Sequence, residues 1–259
     1  MKNAIFAASL IALFATAPMQ TAYAEESGKF SLETGMDYNT GKYGGTQSTD
    51  ILYVPVTGRY QAKSWTLKLT VPYLQISGPS NVINGVGLTG AAITNTSTTR
   101  SGLGDVIAAA THNAYNGGAS GLLVNLTGKV KFGTASSSKG LGTGKNDYAL
   151  QSEAYQVTGN LTSFGTLGYK VHGAPVGYTL NNVFYGSLGG SYKFDQETNG
   201  GMMLNLAQKT TMRGSSHVEA IFFASHKLDK NLKVQGYVLK GFTRSVPNWG
   251  AGATIAFLL

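Results

Sequence analysis

From Lys29 onward, apolar and polar residues alternate in short stretches that break at clusters of Gly, Asn, Asp and Ser. A period of two is the mark of half-buried β-strands, and no apolar face with the 3.6-residue period of a helix persists. The stretch 122–132 is the clearest: Leu122, Val124, Leu126, Gly128, Val130 and Phe132 share one face, while Asn125, Thr127, Lys129 and Lys131 share the other. The same split marks 30–38, 52–60, 65–73, 184–194 and 249–259, and weaker versions mark 104–115, 147–158, 165–172, 202–210, 217–227 and 232–242. Twelve strands are therefore predicted. An even number returns both ends of a closed sheet to one side, as single-chain bacterial barrels require.

The connections alternate in length. Tight turns are expected at 62–64, 116–119, 159–162 and 228–231, with a slightly longer one at 195–200, whereas 78–101 and 133–146 are long and fall together on the opposite side. Short periplasmic turns and long outer loops are the habit of outer-membrane barrels. The Thr/Asn/Gly-rich stretch 81–101 is long enough to fold into the mouth of such a barrel, and long loops are commonly functional. Only 25–29 stands ahead of the first strand, which is short for a plug.

Alternation alone does not separate a barrel in lipid from a soluble sandwich. The aromatic residues do more. Phe30 and Tyr38, Trp65 and Tyr73, and Trp249 and Phe257 are each eight residues apart on one face. At about 3.3 Å per residue and a tilt near 40°, that spacing climbs roughly 20 Å, close to the height of the apolar band between aromatic girdles. Charge points the same way. With the apolar face outward, Glu33, Asp37, Arg59, Lys68, Lys129, Lys131, Asp147, Glu153, Lys193 and Lys209 face the interior, and a Lys or Arg in lipid at mid-membrane costs about 2–4 kcal/mol.

Composition agrees. Charged residues make up 12% of the chain and there are 35 glycines, no cysteine and a scattered net charge of +8. That rules out a disulfide framework or thiolate metal site and offers no basic cluster for nucleic acid. At the N-terminus, Lys2, the apolar stretch 4–17 and Ala22-Tyr23-Ala24 read as a signal peptide cleaved after residue 24, too short to span a bilayer. The expected organisation is a leader at 1–24 and a barrel at 25–259. The fold class is all-β: a transmembrane, antiparallel, up-and-down barrel in the outer membrane.

Two segments carry a family resemblance. Lys129-Val130-Lys131-Phe132-Gly133-Thr134, followed by Lys139-Gly140-Leu141-Gly142-Thr143-Gly144-Lys145-Asn146-Asp147-Tyr148, resembles a hallmark of the outer-membrane family named for a MetA pathway of phenol degradation. Gly102-Leu103-Gly104-Asp105-Val106 and Val71-Pro72-Tyr73 fit the same family. The resemblance implies an outer-membrane barrel that passes aromatic or other poorly polar compounds, and it brings no catalytic residue. The last strand, with Trp249, Ala251, Ala253, Ile255, Phe257 and Leu259 on one face, resembles the signal read by outer-membrane assembly machinery, with Leu259 in place of the usual aromatic.

Other chemistry is weaker. The Gly140–Lys145 stretch lacks the Gly and Ser/Thr that a phosphate-binding loop needs where Lys139 and Asn146 stand. His112, His172, His217 and His226 have no metal-ligand spacing. His172, close to an outer loop, is the one candidate for a barrel hydrolase, but no nucleophile motif accompanies it. The expected function is passage of small molecules across the outer membrane, without cofactor or catalysis, with lipid, solute and the assembly machinery as partners. A closed barrel serving as a structural or surface-interaction platform is the alternative. The inward charges leave two readings open: an electrostatic lining of a passage, or internal ion pairs such as Lys129 or Lys131 against Asp147 or Glu153 that plug it.

Overall fold

A computed structural model describes residues 28–79, 82–83, 86–87, 97–176, 178–212 and 214–259. The expected leader at 1–24 and much of the 81–101 stretch lie outside them. The strands are β1 (Lys29–Gly41), β2 (Thr49–Ala62), β3 (Trp65–Pro79), the short β4 (Val82–Ile83) and β5 (Val86–Gly87), β6 (Ser97–Leu103) and β7 (Ile107–Asn116). They continue with β8 (Leu122–Lys131), β9 (Asp147–Thr158), β10 (Leu161–Val171), β11 (Val183–Lys193), β12 (Thr198–Ala207), β13 (His217–Lys227), β14 (Leu232–Gly241) and β15 (Trp249–Leu258).

Each long strand pairs antiparallel with its neighbours in sequence, and β1 closes on β15 from Ser31↔Leu258 to Thr40↔Trp249. Strands β6 and β7 both pair with β3, one above the other, so together they form a single interrupted stave. The result is a closed, up-and-down barrel of twelve staves. The small pair β4–β5 stands apart from it.

The alternation in sequence becomes two surfaces. On β1, Phe30, Leu32, Met36 and Tyr38 are exposed on the outside, whereas Asp37 and Asn39 on the other face are buried. Leu67, Leu69, Leu150, Leu167, Leu188, Phe222 and Val238 are likewise outward and exposed around the wall. So much exposed apolar surface is unfavourable in water and natural against hydrocarbon.

Turns set the register. Ala62 pairs with Trp65 across a two-residue turn in which Lys63 takes φ 46°. Thr158 pairs with Leu161 across Gly159-Asn160, where Gly159 takes φ 61°, a left-handed conformation that glycine adopts without strain. The tenth strand therefore starts at Leu161 rather than at the expected residue 165. Strand β3 runs on to Pro79 and pairs with β6, where a loop was expected. Strand β12 covers 198–207 rather than 202–210, since the chain leaves the sheet at Gln208, whose side chain accepts the Phe184 amide at 3.0 Å.

Candidate lumen site

Following the register around the barrel shows which inward side chains share a row. Arg59 pairs with Lys68, Lys68 with Ala109, Ala109 with Lys129, Lys129 with Ala149, and Ala149 with Lys170. Four cations thus stand in one row across six staves. Hydroxyl pairs flank it: Thr57 with Thr70 at 2.8 Å on one side, and Thr111 with Thr127 at 2.8 Å on the other. Glu33 and Glu153 act on Lys68 through the field. The Glu153 carboxylate itself is engaged by the amide of Gln151, which also accepts the Tyr185 hydroxyl at 2.7 Å. Asp37 accepts the Tyr237 hydroxyl at 2.5 Å.

At the long-loop end the charges pair off. Lys131 Nζ is 2.7 Å from Asp105 and 3.6 Å from Asp147, and Lys170 Nζ is 3.4 Å from Asp147. These groups fasten the 132–146 loop. Asp105 also accepts the Ala135 amide at 2.9 Å, Lys131 donates to the Lys145 carbonyl at 3.1 Å, and Val106 N donates to Thr134 Oγ1 at 2.9 Å. Gly142 passes so close that a Cβ there would sit 2.7 Å from the Ala135 methyl and 3.0 Å from the Asp105 carboxylate. The glycines of this stretch serve loop packing. Held in this way, Leu141 and Ala135 are buried with Tyr43 against Ile51, Tyr53, Leu74 and Ile76, which point inward from β2 and β3.

The expected lining residues can now be placed. Glu33, Asp37, Arg59, Lys68, Lys129, Lys131, Asp147, Glu153 and Lys193 belong to the inward face, Lys193 opposite Asn199 near a short turn. Lys209 is different: it lies past the end of β12, exposed, with Nζ 3.4 Å from the Met212 carbonyl. Phe30, Tyr38, Trp65, Tyr73, Trp249 and Phe257 are all outward and exposed, with the Tyr38 and Trp249 rings 5.5 Å apart. Sequence reasoning passed over Lys170 and Asp105. The outward set Leu167, Tyr169 and Val171 was signal enough to turn Lys170 inward, whereas Asp105 sits in the break between β6 and β7, where alternation is silent.

The histidines are dispersed. His112 stacks outside against Trp65 with centroids 4.7 Å apart, and His226 meets Thr198 Oγ1 at 2.9 Å. Among the described residues no three His, Asp or Glu side chains gather as a metal-binding group. His172 follows β10, with its amide donating to Asn182 Oδ1 at 3.1 Å and its Nδ1 2.9 Å from the Asn181 carbonyl. Burial, and then the positive charge of Lys170, push its imidazole down to about 4, partly opposed by Asp147, while Lys131 adds to the downward push. A folded value below the ordinary 6.5 means that the unfolded chain binds more protons between about 4 and 6.5. His172 therefore stabilises this loop fully above that window, and the contribution falls as pH drops through it. The protection factor of the His172 amide is expected to decline across the window in the wild type and to stay level in His172→Gln; equal behaviour of the two proteins would reject this.

Lipid-facing walls around a closed, polar-lined sheet define an outer-membrane β-barrel protein. The chain belongs to the family described as "Putative MetA-pathway of phenol degradation", which matches residues 21–259. Among solved structures, it is similar to an outer membrane channel from Pseudomonas putida F1, at 14% identity over 91% of this chain and 97% of that one, with a TM-score of 0.65. It is also similar to the KdgM porin, at 14% identity over 88% and 98% of the two chains, with a TM-score of 0.53. At these identities the likeness is one of fold. None of the curated proteins matches the chain in sequence.

Proposed function

We propose that this barrel is a diffusion channel for small solutes across the outer membrane, and that aromatic or poorly polar compounds are among its cargo. One observation carries the reading. On three of the twelve staves, β10, β11 and β15, the inward positions are small: Thr166, Gly168, Ser187, Gly189, Ser191, Gly252, Thr254 and Ala256. Eight strands enclose just enough room for side chains to fill. Twelve strands enclose a wider bore than that; the Tyr185 ring leans over Gly168 and the Tyr237 ring over Gly252, and polar and apolar side chains share the wall. The fold shared with a channel and a porin supports the reading, and the family's description supports the aromatic cargo. The outward aromatics act as interfacial girdles, and the segment before the barrel as a cleaved leader.

A closed platform is the second reading, favoured by the apolar cluster that Leu141 and Tyr43 build at the outer mouth. We take that cluster as a constriction instead, because it stands on one side of the wall, on β2 and β3. His172 is fastened into its loop by Asn181 and Asn182, which suits a structural part better than activation of a nucleophile. Proteoliposomes containing the refolded protein are expected to swell in small neutral solutes such as phenol-sized alcohols and monosaccharides. Swelling no faster than that of empty vesicles would reject the channel.

A further inference from the structure

We propose that the row Arg59, Lys68, Lys129 and Lys170 is a track for small organic anions, carboxylates with an apolar body foremost. The inference rests on the channel reading and adds the class of solute.

The row crosses the wall from end to end. Arg59 lies three residues before the short-turn end of β2, and Lys170 one residue before the long-loop end of β10. Between successive Lys residues the row holds only Ala109 and Ala149, whose methyl groups put nothing between one cation and the next. Lys170 is neutralised by Asp147. Among the described residues, neither Lys68 nor Lys129 has a carboxylate within ion-pairing distance. Positive charge facing a confined, poorly polarisable space is repaid by an anion that enters it, and rings or rows of Lys and Arg set anion preference in pores. The threonine hydroxyls on both flanks can donate to the second oxygen of a carboxylate.

The opposite wall suits the rest of such a solute. Tyr155, Phe164, Gly189, Met203, Ile221 and Leu239 form a second inward row across β9 to β14, with the Tyr155 and Phe164 rings 6.3 Å apart. One wall takes charge and the other takes apolar surface. A purely inorganic anion uses only the first, and a neutral aromatic only the second.

The test is the reversal potential of the refolded protein in planar bilayers under a KCl gradient and then a potassium benzoate gradient. Both anions are expected to be preferred over potassium. In water, a unit charge ~8 Å from the path changes the occupancy of each ion about twofold, in opposite senses for anion and cation, so Lys68→Gln with Lys129→Gln should lower the anion-over-potassium preference on the order of tenfold. Lys68→Arg with Lys129→Arg should keep it, and Lys240→Gln, on the outward face of β14 opposite Trp249, should match the wild type. Cation preference, or a preference that the double Gln variant leaves unchanged, overturns the track while the channel stands. A barrel that inserts and passes neither ions nor benzoate overturns the channel and the track with it.

Discussion

Asp105→Ala releases the 132–146 loop from the outer mouth and raises the conductance of the open barrel. The buried carboxylate holds both Lys131 Nζ at 2.7 Å and the Ala135 amide at 2.9 Å, and without it Lys131 keeps the Lys145 carbonyl at 3.1 Å and Asp147 at 3.6 Å, neither of which reaches the Ala135 amide. Removing one member of a buried pair leaves the other uncompensated; for a pair that still touches solvent through Lys131, the loss is about 2–3 kcal/mol. That is enough to shift a docked loop toward an undocked one by roughly a hundredfold. Trypsin cleavage after Lys139 and Lys145, both exposed on the loop, should accelerate accordingly, and single-channel current should rise. Leu141→Ala reaches the same state by a different route, through the apolar cluster. Faster cleavage with unchanged current would mean that the loop does not narrow the path.

The second large effect concerns the wall itself. Leu188 is 72% exposed at the middle of β11, on the outward face, and Ser187 beside it points inward. Leu188→Arg should lower the unfolding free energy in lipid vesicles by about 2–4 kcal/mol, whereas Ser187→Arg, whose charge meets water inside, should stay within about 1 kcal/mol of the wild type. Denaturant titration of both variants in the same vesicles decides it. Equal losses would mean that the two faces see the same solvent, and the membrane reading would fall.

The parts of the fold legible in the sequence are those that lipid constrains. Where the outer face must be apolar, as in β8 or β15, every second residue is apolar or glycine and strand limits come out within a residue or two. Beyond the lipid the constraint lapses. In the upper part of β3 and in β6, Ser77 and Thr99 face outward and bond to each other at 2.9 Å, so nothing in the hydropathy pattern separates these paired strands from a loop. The alternation of Met202, Leu204 and Leu206 points Lys209 inward, but the strand ends at Ala207 and the pattern loses its meaning there.

The candidate site was legible by face and not by row. Period two decides whether Lys68 or Lys129 points inward, but which cations stand side by side depends on register across six staves, and that is set by turns such as Lys63-Ser64 and Gly159-Asn160. The family segments around Gly102–Val106 and 129–148 showed where similarity lies without showing its purpose. Their glycines and charges turn out to build the fastening of one loop.

The tilt of the staves gives the cation row a last consequence. Because its members come from β2 through β10 while climbing from one rim to the other, the row is a segment of a spiral sweeping close to half a turn. A particle that keeps hold of it corkscrews through the wall instead of dropping along the axis. Its route is longer than the bilayer is thick, and the thread of that screw has one hand.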